Sequence, residues 1–208
     1  MLIAYRALAT AAFCLAYTLS FNLPKWSSYE NGPIEITQNL VLVLGAVQAI
    51  SYVVREKSPW RNLWAAAVPI WIICVGRELS WGAVFVPPAD FAEIGPFYTS
   101  TSLPYKFLVA PAVGALLMAS AFIFIRCKVW RLCRSMWSSG HLPLLETGMT
   151  GVALLLTTAA ENNMGLTLQN YLGFSQIFEE TVELAAYLFL LAAQQRIRAA
   201  ELQAQSYP

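Results

Sequence analysis

Inside an otherwise apolar stretch, Glu179 and Glu183 stand four residues apart, with Tyr187 four further along. On a helix that spacing stacks all three on one face. Glu35 and Asn39 repeat the spacing with Gln38 beside them, Glu161 is followed by Asn162 and Asn163 with Thr157 and Thr158 one turn earlier, and Arg77 adjoins Glu78. Carboxylates gathered this way suit two chemistries. One carboxyl with raised and one with ordinary proton affinity make an acid and base pair for a membrane-embedded enzyme. Carboxylate and amide oxygens also suit protons or hard cations on a transport route.

The apolar runs that carry these groups dominate the chain. Of its 208 residues, 58% are apolar and 12% charged, too little charge for a water-exposed globular surface. A helix needs about 20 apolar residues to cross a hydrocarbon core of about 30 Å. Runs bounded by Pro, Gly or charge predict spans near 2–22, 34–54, 62–85, 103–125, 143–164 and 174–195. The expected fold is an all-α polytopic transmembrane helix bundle of six spans, a single transmembrane domain over 1–208 with only short loops. Spans three and six carry charge, so a five-span arrangement that drops one of them is the competitor. The first segment has Arg6 near its start and an Ala-rich run, as a secretory signal would. It lacks a small-x-small cleavage site, and Phe13 precedes Cys14 where lipoprotein processing wants a small residue, so this helix is expected to be retained.

Orientation follows from Lys and Arg, which cytoplasmic loops retain. Arg55, Lys57 and Arg61 lie between spans two and three, Arg126, Lys128, Arg131 and Arg134 between four and five, and Arg196 and Arg198 after six; the opposite loops hold Lys25 and Lys106. The asymmetry puts both termini in the cytoplasm and requires an even number of spans. Trp60, Trp64, Trp130 and Trp137 are expected in an inner interfacial belt, with Trp26 and Trp81 near the outer one and Trp71 deeper.

With that topology the 12 acidic residues sort themselves. Glu56, Glu146 and Glu201 fall on the cytoplasmic side. The other nine, Glu30, Glu35, Glu78, Asp90, Glu93, Glu161, Glu179, Glu180 and Glu183, fall in the outer half or outside. Glu183 lies deepest, about 14 Å below the outer end of span six at 1.5 Å per residue. A charge at the centre of a membrane helix costs roughly 2.5 to 3.5 kcal/mol on insertion scales, so these side chains must face protein or water. The candidate binding site is Glu35, Asn39, Arg77, Glu78, Glu161, Asn162, Glu179, Glu183 and Tyr187. Arg77 is the natural counter-ion, paired first with Glu183 or Glu179. The acids outnumber it, so one is expected to be protonated near neutral pH or to share a cation. Polar residues also glue helices together, but five or more glutamates with one arginine exceed that need. The loop 86–103, rich in Pro and aromatic residues, reads either as a lid over such a cavity or as an ordinary interfacial loop.

Three stretches, Gly76-Arg77-Glu78-Leu79-Ser80-Trp81-Gly82, Glu30-Asn31-Gly32-Pro33-Ile34-Glu35 and Glu179-Glu180-Thr181-Val182-Glu183, resemble a group of uncharacterised bacterial integral membrane proteins. Their third-span motif is similar to G-E-E-x-S-W-G-Q. Arg77 stands here for an acid and Ala83 for the glutamine, and a downstream Asn-Leu-His-Asn stretch is missing. The resemblance implies no activity; it implies that Glu78, Ser80, Trp81 and Gly82 act as a unit. A weaker internal echo relates Glu78-Leu79-Ser80-Trp81-Gly82 to Glu161-Asn162-Asn163-Met164-Gly165, as repeats in transporters do.

Much chemistry is disfavoured. A net charge of +1 with its basic residues split among loops argues against a nucleic-acid surface. Cys14, Cys74, Cys127 and Cys133 form no CxxC pair. The single histidine, His141, argues against bis-histidine haem and His-rich di-iron centres, and no GxSxG, HExxH, P-loop or GxGxxG occurs. Glu179-Glu180 is also found in prenyl-endopeptidase-type membrane proteases, whose later arginine and histidines are absent. No cofactor and no resident metal is expected. The expectation is a small multi-pass protein of a bacterial inner membrane, in contact with the lipid bilayer, with a carboxylate-rich pocket open to the outer face that binds or transports a cation, a proton or a small polar solute. The alternatives are an outer-leaflet enzyme using a glutamate pair and an accessory subunit whose acids bind a partner membrane protein.

Overall fold

The computed structural model describes residues 1–88, 90–92, 95–99, 101, 103–161 and 171–206. Among the described residues seven α-helices run in order: α1 Leu2–Asn22, α2 Pro33–Arg55, α3 Trp60–Glu78, α4 Lys106–Arg126, α5 Val129–Ser138, α6 Leu144–Ala160 and α7 Ser175–Ser206. Single 3-10 segments, Lys25–Ser28 and Ser80–Phe85, precede α2 and follow α3. The only strands among the described residues are β1 Asp90–Ala92 and β2 Gly95–Phe97, a two-stranded ribbon within the loop 86–103.

Local chemistry explains most of these boundaries. α1 contains neither Gly nor Pro and stops at Asn22, two residues short of Pro24. Pro33 opens α2, where its missing N–H costs nothing. Both helices lie within a residue of the predicted spans. Span three, expected to continue to residue 85, instead ends as an α-helix at Glu78. Ser80, Trp81 and Gly82 then take positive φ values of 44°, 55° and 99°, a left-handed turn natural only to the glycine. The Trp81 ring folds back over Gly76, where an added Cβ would lie 2.7 Å from it, and Tyr105 donates its hydroxyl proton to the Trp81 carbonyl at 3.1 Å. The Glu78 to Gly82 motif is thus a helix-ending turn. The segment between spans four and five, expected as a connection, contains α5, entered through Lys128 at φ 53°.

Leu2–Asn22, Lys25–Arg55 and Lys106–Arg126 are long and apolar enough to cross a membrane; α6 is apolar but shorter, at 17 residues. Charges within α3 and α7 keep those helices below the same threshold of apolarity. α4 buries none of its residues, and Phe107, Met118, Phe122 and Ile125 project from it exposed. Such an apolar surface exceeds what a water-soluble monomer presents.

The helices form two compact units. One comprises α1, α2 as far as Val41, α6, and α7 as far as Arg196. Its core is built on alanines, Ala9, Ala16, Ala153 and Ala186, with Val182, Leu188 and Phe189; small residues let helix backbones approach closely. The other comprises α2 from Leu42, α3, α4, α5, and α7 from Ile197. There Gly45 of α2 faces the buried Trp71 of α3 so closely that a Cβ would sit 2.4 Å from the indole.

Candidate functional site

The first unit brings together the predicted residues of α2 and α7. Glu35, in the first turn of α2, reaches back and accepts a hydrogen bond from the backbone N–H of Asn31, two residues ahead of the helix, at 2.6 Å, which ties the entering loop to the helix start. Glu35 and Glu183 are 8% and 5% exposed. Gln38, fully buried, ties the two helices: its Nε2 donates to the Glu180 carbonyl at 2.7 Å and to Glu180 Oε2 at 2.9 Å. Asn39 donates to the Glu35 carbonyl at 3.1 Å. Gln38 Oε1 and Asn39 Oδ1 are buried acceptors without a hydrogen-bond partner, a state worth about 1–3 kcal/mol to relieve.

Tyr187 is buried one turn below Glu183, and Glu179 is half-buried. The polar character of α7 continues past them, since Gln194 and Gln195 are also buried. Glu161 caps the end of α6 and is exposed; Asn162 lies outside the described residues. Arg77 and Glu78 belong to the other unit. There Glu78 is buried and Arg77 half-exposed, its Nε 3.7 Å from Glu78 Oε1, so the arginine has its own sequence neighbour as an ion-pair partner. Among the described residues no three His, Cys, Asp or Glu side chains converge to hold a metal ion. A cation here would instead draw on amide oxygens beside the carboxylates, a donor set suited to a hard ion.

The three acids assigned to the cytoplasmic side lie outside the predicted site, and all three hold arginines. Glu146 of α6 has no side-chain exposure. It accepts from Arg6 of α1 through both Nε, at 2.7 Å, and Nη2, and from Arg196 of α7 at 3.5 Å. A signal existed: Arg6 is the only charge in α1 and Glu146 the only charge in α6, and lone opposite charges at matching helix ends need each other.

In the second unit Arg198 Nη1 donates to Glu56 Oε1 and to Glu201 Oε2, each at 2.6 Å, and its guanidinium lies 4.8 Å from the Tyr52 ring centre. Trp64, expected in the inner interfacial belt, is buried instead, and its Nε1 donates to Glu201 Oε2 at 3.1 Å. Burial pushes the Glu201 carboxyl up, against the hydrogen bonds of Arg198 and Trp64. The hydrogen bond from Gln205, at 2.8 Å, and the Arg198 charge hold Glu56 below the ordinary carboxyl value. Compared with known protein families, with curated proteins and with solved structures, the chain matches none.

Proposed function

We propose that this chain is a six-span protein of a bacterial inner membrane, with both termini in the cytoplasm, that binds and carries a proton, a small cation or a small polar solute through a carboxylate-lined pocket open to the outer face. One observation carries the reading: Glu35 of α2 and Glu183 of α7 are both buried, on two helices that the hydrogen bonds from Gln38 to Glu180 join. Two buried carboxylates repel in a low dielectric, and a proton or cation between them removes the repulsion. The buried acceptors Gln38 Oε1 and Asn39 Oδ1 add neutral oxygens of the kind a hard ion takes in place of water.

Contacts within the first unit support the alternating topology. Arg6 near the start of α1, Glu146 near the start of α6 and Arg196 late in α7 share one ion cluster. At the opposite ends, the Phe174 N–H donates to the Ser20 carbonyl at 2.7 Å, and Gln38 joins Glu180. Helices α1 and α6 therefore run one way and α7 the other, as an N-in, C-in arrangement requires. The same reading groups the chain with the bacterial integral membrane proteins that its three motifs resemble.

The test is flux into proteoliposomes of the full chain, with proton and monovalent-cation gradients imposed separately. Glu183→Gln should lower the flux at least about tenfold, because it removes the charge that couples to the carried ion. Wild-type flux in both Glu183→Gln and Glu35→Gln would remove the pocket from consideration.

A further inference from the structure

We infer that α5 is a docking surface for acidic phospholipid in the cytoplasmic leaflet. The proposal uses the membrane orientation above but not the carboxylate pocket. It begins with an imbalance of charge: from residue 94 to residue 145 the chain has no Asp or Glu, and it has Lys106, Arg126, Lys128, Arg131 and Arg134. Elsewhere Arg6, Arg196 and Arg198 are drawn into ion pairs with buried glutamates. Among the described residues Arg126, Lys128, Arg131 and Arg134 have no carboxylate within ion-pair distance, and all four are exposed.

The helix itself is divided lengthwise. At about 100° per residue, Val129, Leu132, Cys133 and Met136 occupy one arc, Trp130 and Trp137 form its edge, and Arg131, Arg134, Ser135 and Ser138 fill the opposite arc. Val129 and Met136 are buried against the protein. The indole edge is not covered: Trp130 is 45% exposed and Trp137 62%. The two indoles are seven residues apart on one stripe, with Arg134 between them, and the Arg131 guanidinium lies 5.5 Å from the Trp130 ring centre. Indoles with cations at their border match the headgroup level of a bilayer, where the ring meets the acyl boundary and the charge meets phosphate. The flank bearing Leu132, Ser135 and Met136 also lines, with Trp60, His141 and Gln203, a cavity of about 740 Å³, within the size range of small-ligand sites. Unbalanced positive charge selects an anionic lipid over a zwitterionic one, and the indoles select lipid over a soluble acidic partner.

The test is lipid retention by the purified, delipidated full chain, counted by native mass spectrometry after titration with phosphatidylglycerol or phosphatidylcholine of matched acyl chains. Wild-type protein should retain phosphatidylglycerol preferentially, and 0.5 M NaCl should reduce the preference. A basic residue near an anionic surface contributes about fivefold, so R131Q/R134Q should weaken retention roughly 25-fold, while R131K/R134K keeps it. Equal retention of the two lipids by wild-type protein overturns the proposal, as does an unchanged preference in R131Q/R134Q. Should R131Q/R134Q fail to fold, the wild-type comparison and its salt dependence decide alone.

Discussion

The ion cluster around Glu146 yields an asymmetry that can be measured. Its carboxylate has 0% side-chain exposure, whereas Arg6 and Arg196 retain 34% and 29%. Replacing Arg6 with Gln leaves a fully buried carboxylate with Arg196 alone, at 3.5 Å. Removing one member of a buried pair costs about 3–5 kcal/mol when the charge left behind is desolvated; with one arginine remaining, about 3 kcal/mol is expected. Replacing Glu146 with Gln leaves two arginines that are already one-third hydrated, and an amide oxygen that still accepts a hydrogen bond. Screening reduces that loss to about 1–2 kcal/mol. The arginine variant should therefore be the less stable, although each change deletes one charge from the same contact. The R6Q/E146Q double variant should cost less than the sum of the two by at least about 1 kcal/mol, because the second change removes the stranded charge. Equilibrium unfolding of the full chain in mixed micelles, followed by tryptophan fluorescence at pH 7, reads all three. If Glu146→Gln is as damaging as Arg6→Gln, or if the double variant is additive, the burial asymmetry does not govern this cluster.

Gly45→Ala should destabilise the protein by about 1–3 kcal/mol through overpacking, despite the roughly 1 kcal/mol that alanine gains over glycine in a helix, because the new Cβ meets the buried Trp71 ring at 2.4 Å. Unchanged thermal stability in Gly45→Ala would show that Trp71 can move aside. The Glu56 carboxyl is held low by Gln205 and Arg198, so its contribution to stability is complete above the ordinary value of 4.5 and is lost as pH falls through the lowered one. Gln205→Ala should accordingly be less stable than wild type at pH 7, and the gap should shrink toward pH 3; a gap that stays constant over that range contradicts the assignment.

The helices α1, α2 and α4 were legible in the sequence because the requirement for crossing a bilayer is local: about 20 apolar residues in a row, ended by Pro, Gly or charge. α1 occupies Leu2–Asn22 as hydropathy alone demands. α5 escaped the same reasoning because its ten residues are too few and too polar to register as an apolar run, although its apolar and basic residues alternate with helical period. The spacing of Glu179, Glu183 and Tyr187 places them on one face of α7, while no spacing in the sequence signals that α2 meets α7 through Gln38 and Glu180.

Pairing was not legible. Arg6 lies 140 residues from Glu146, and the approach of Arg77 to Glu78, its neighbour in sequence, was not among the expected pairs. A helix presents any one side chain to a neighbour through its rotation about its axis and its depth along it, and neither is encoded in composition. Residue types and their order decide where helices begin, end and carry charge; only the packed structure decides which charge meets which, because a shift of one residue turns a side chain through 100°.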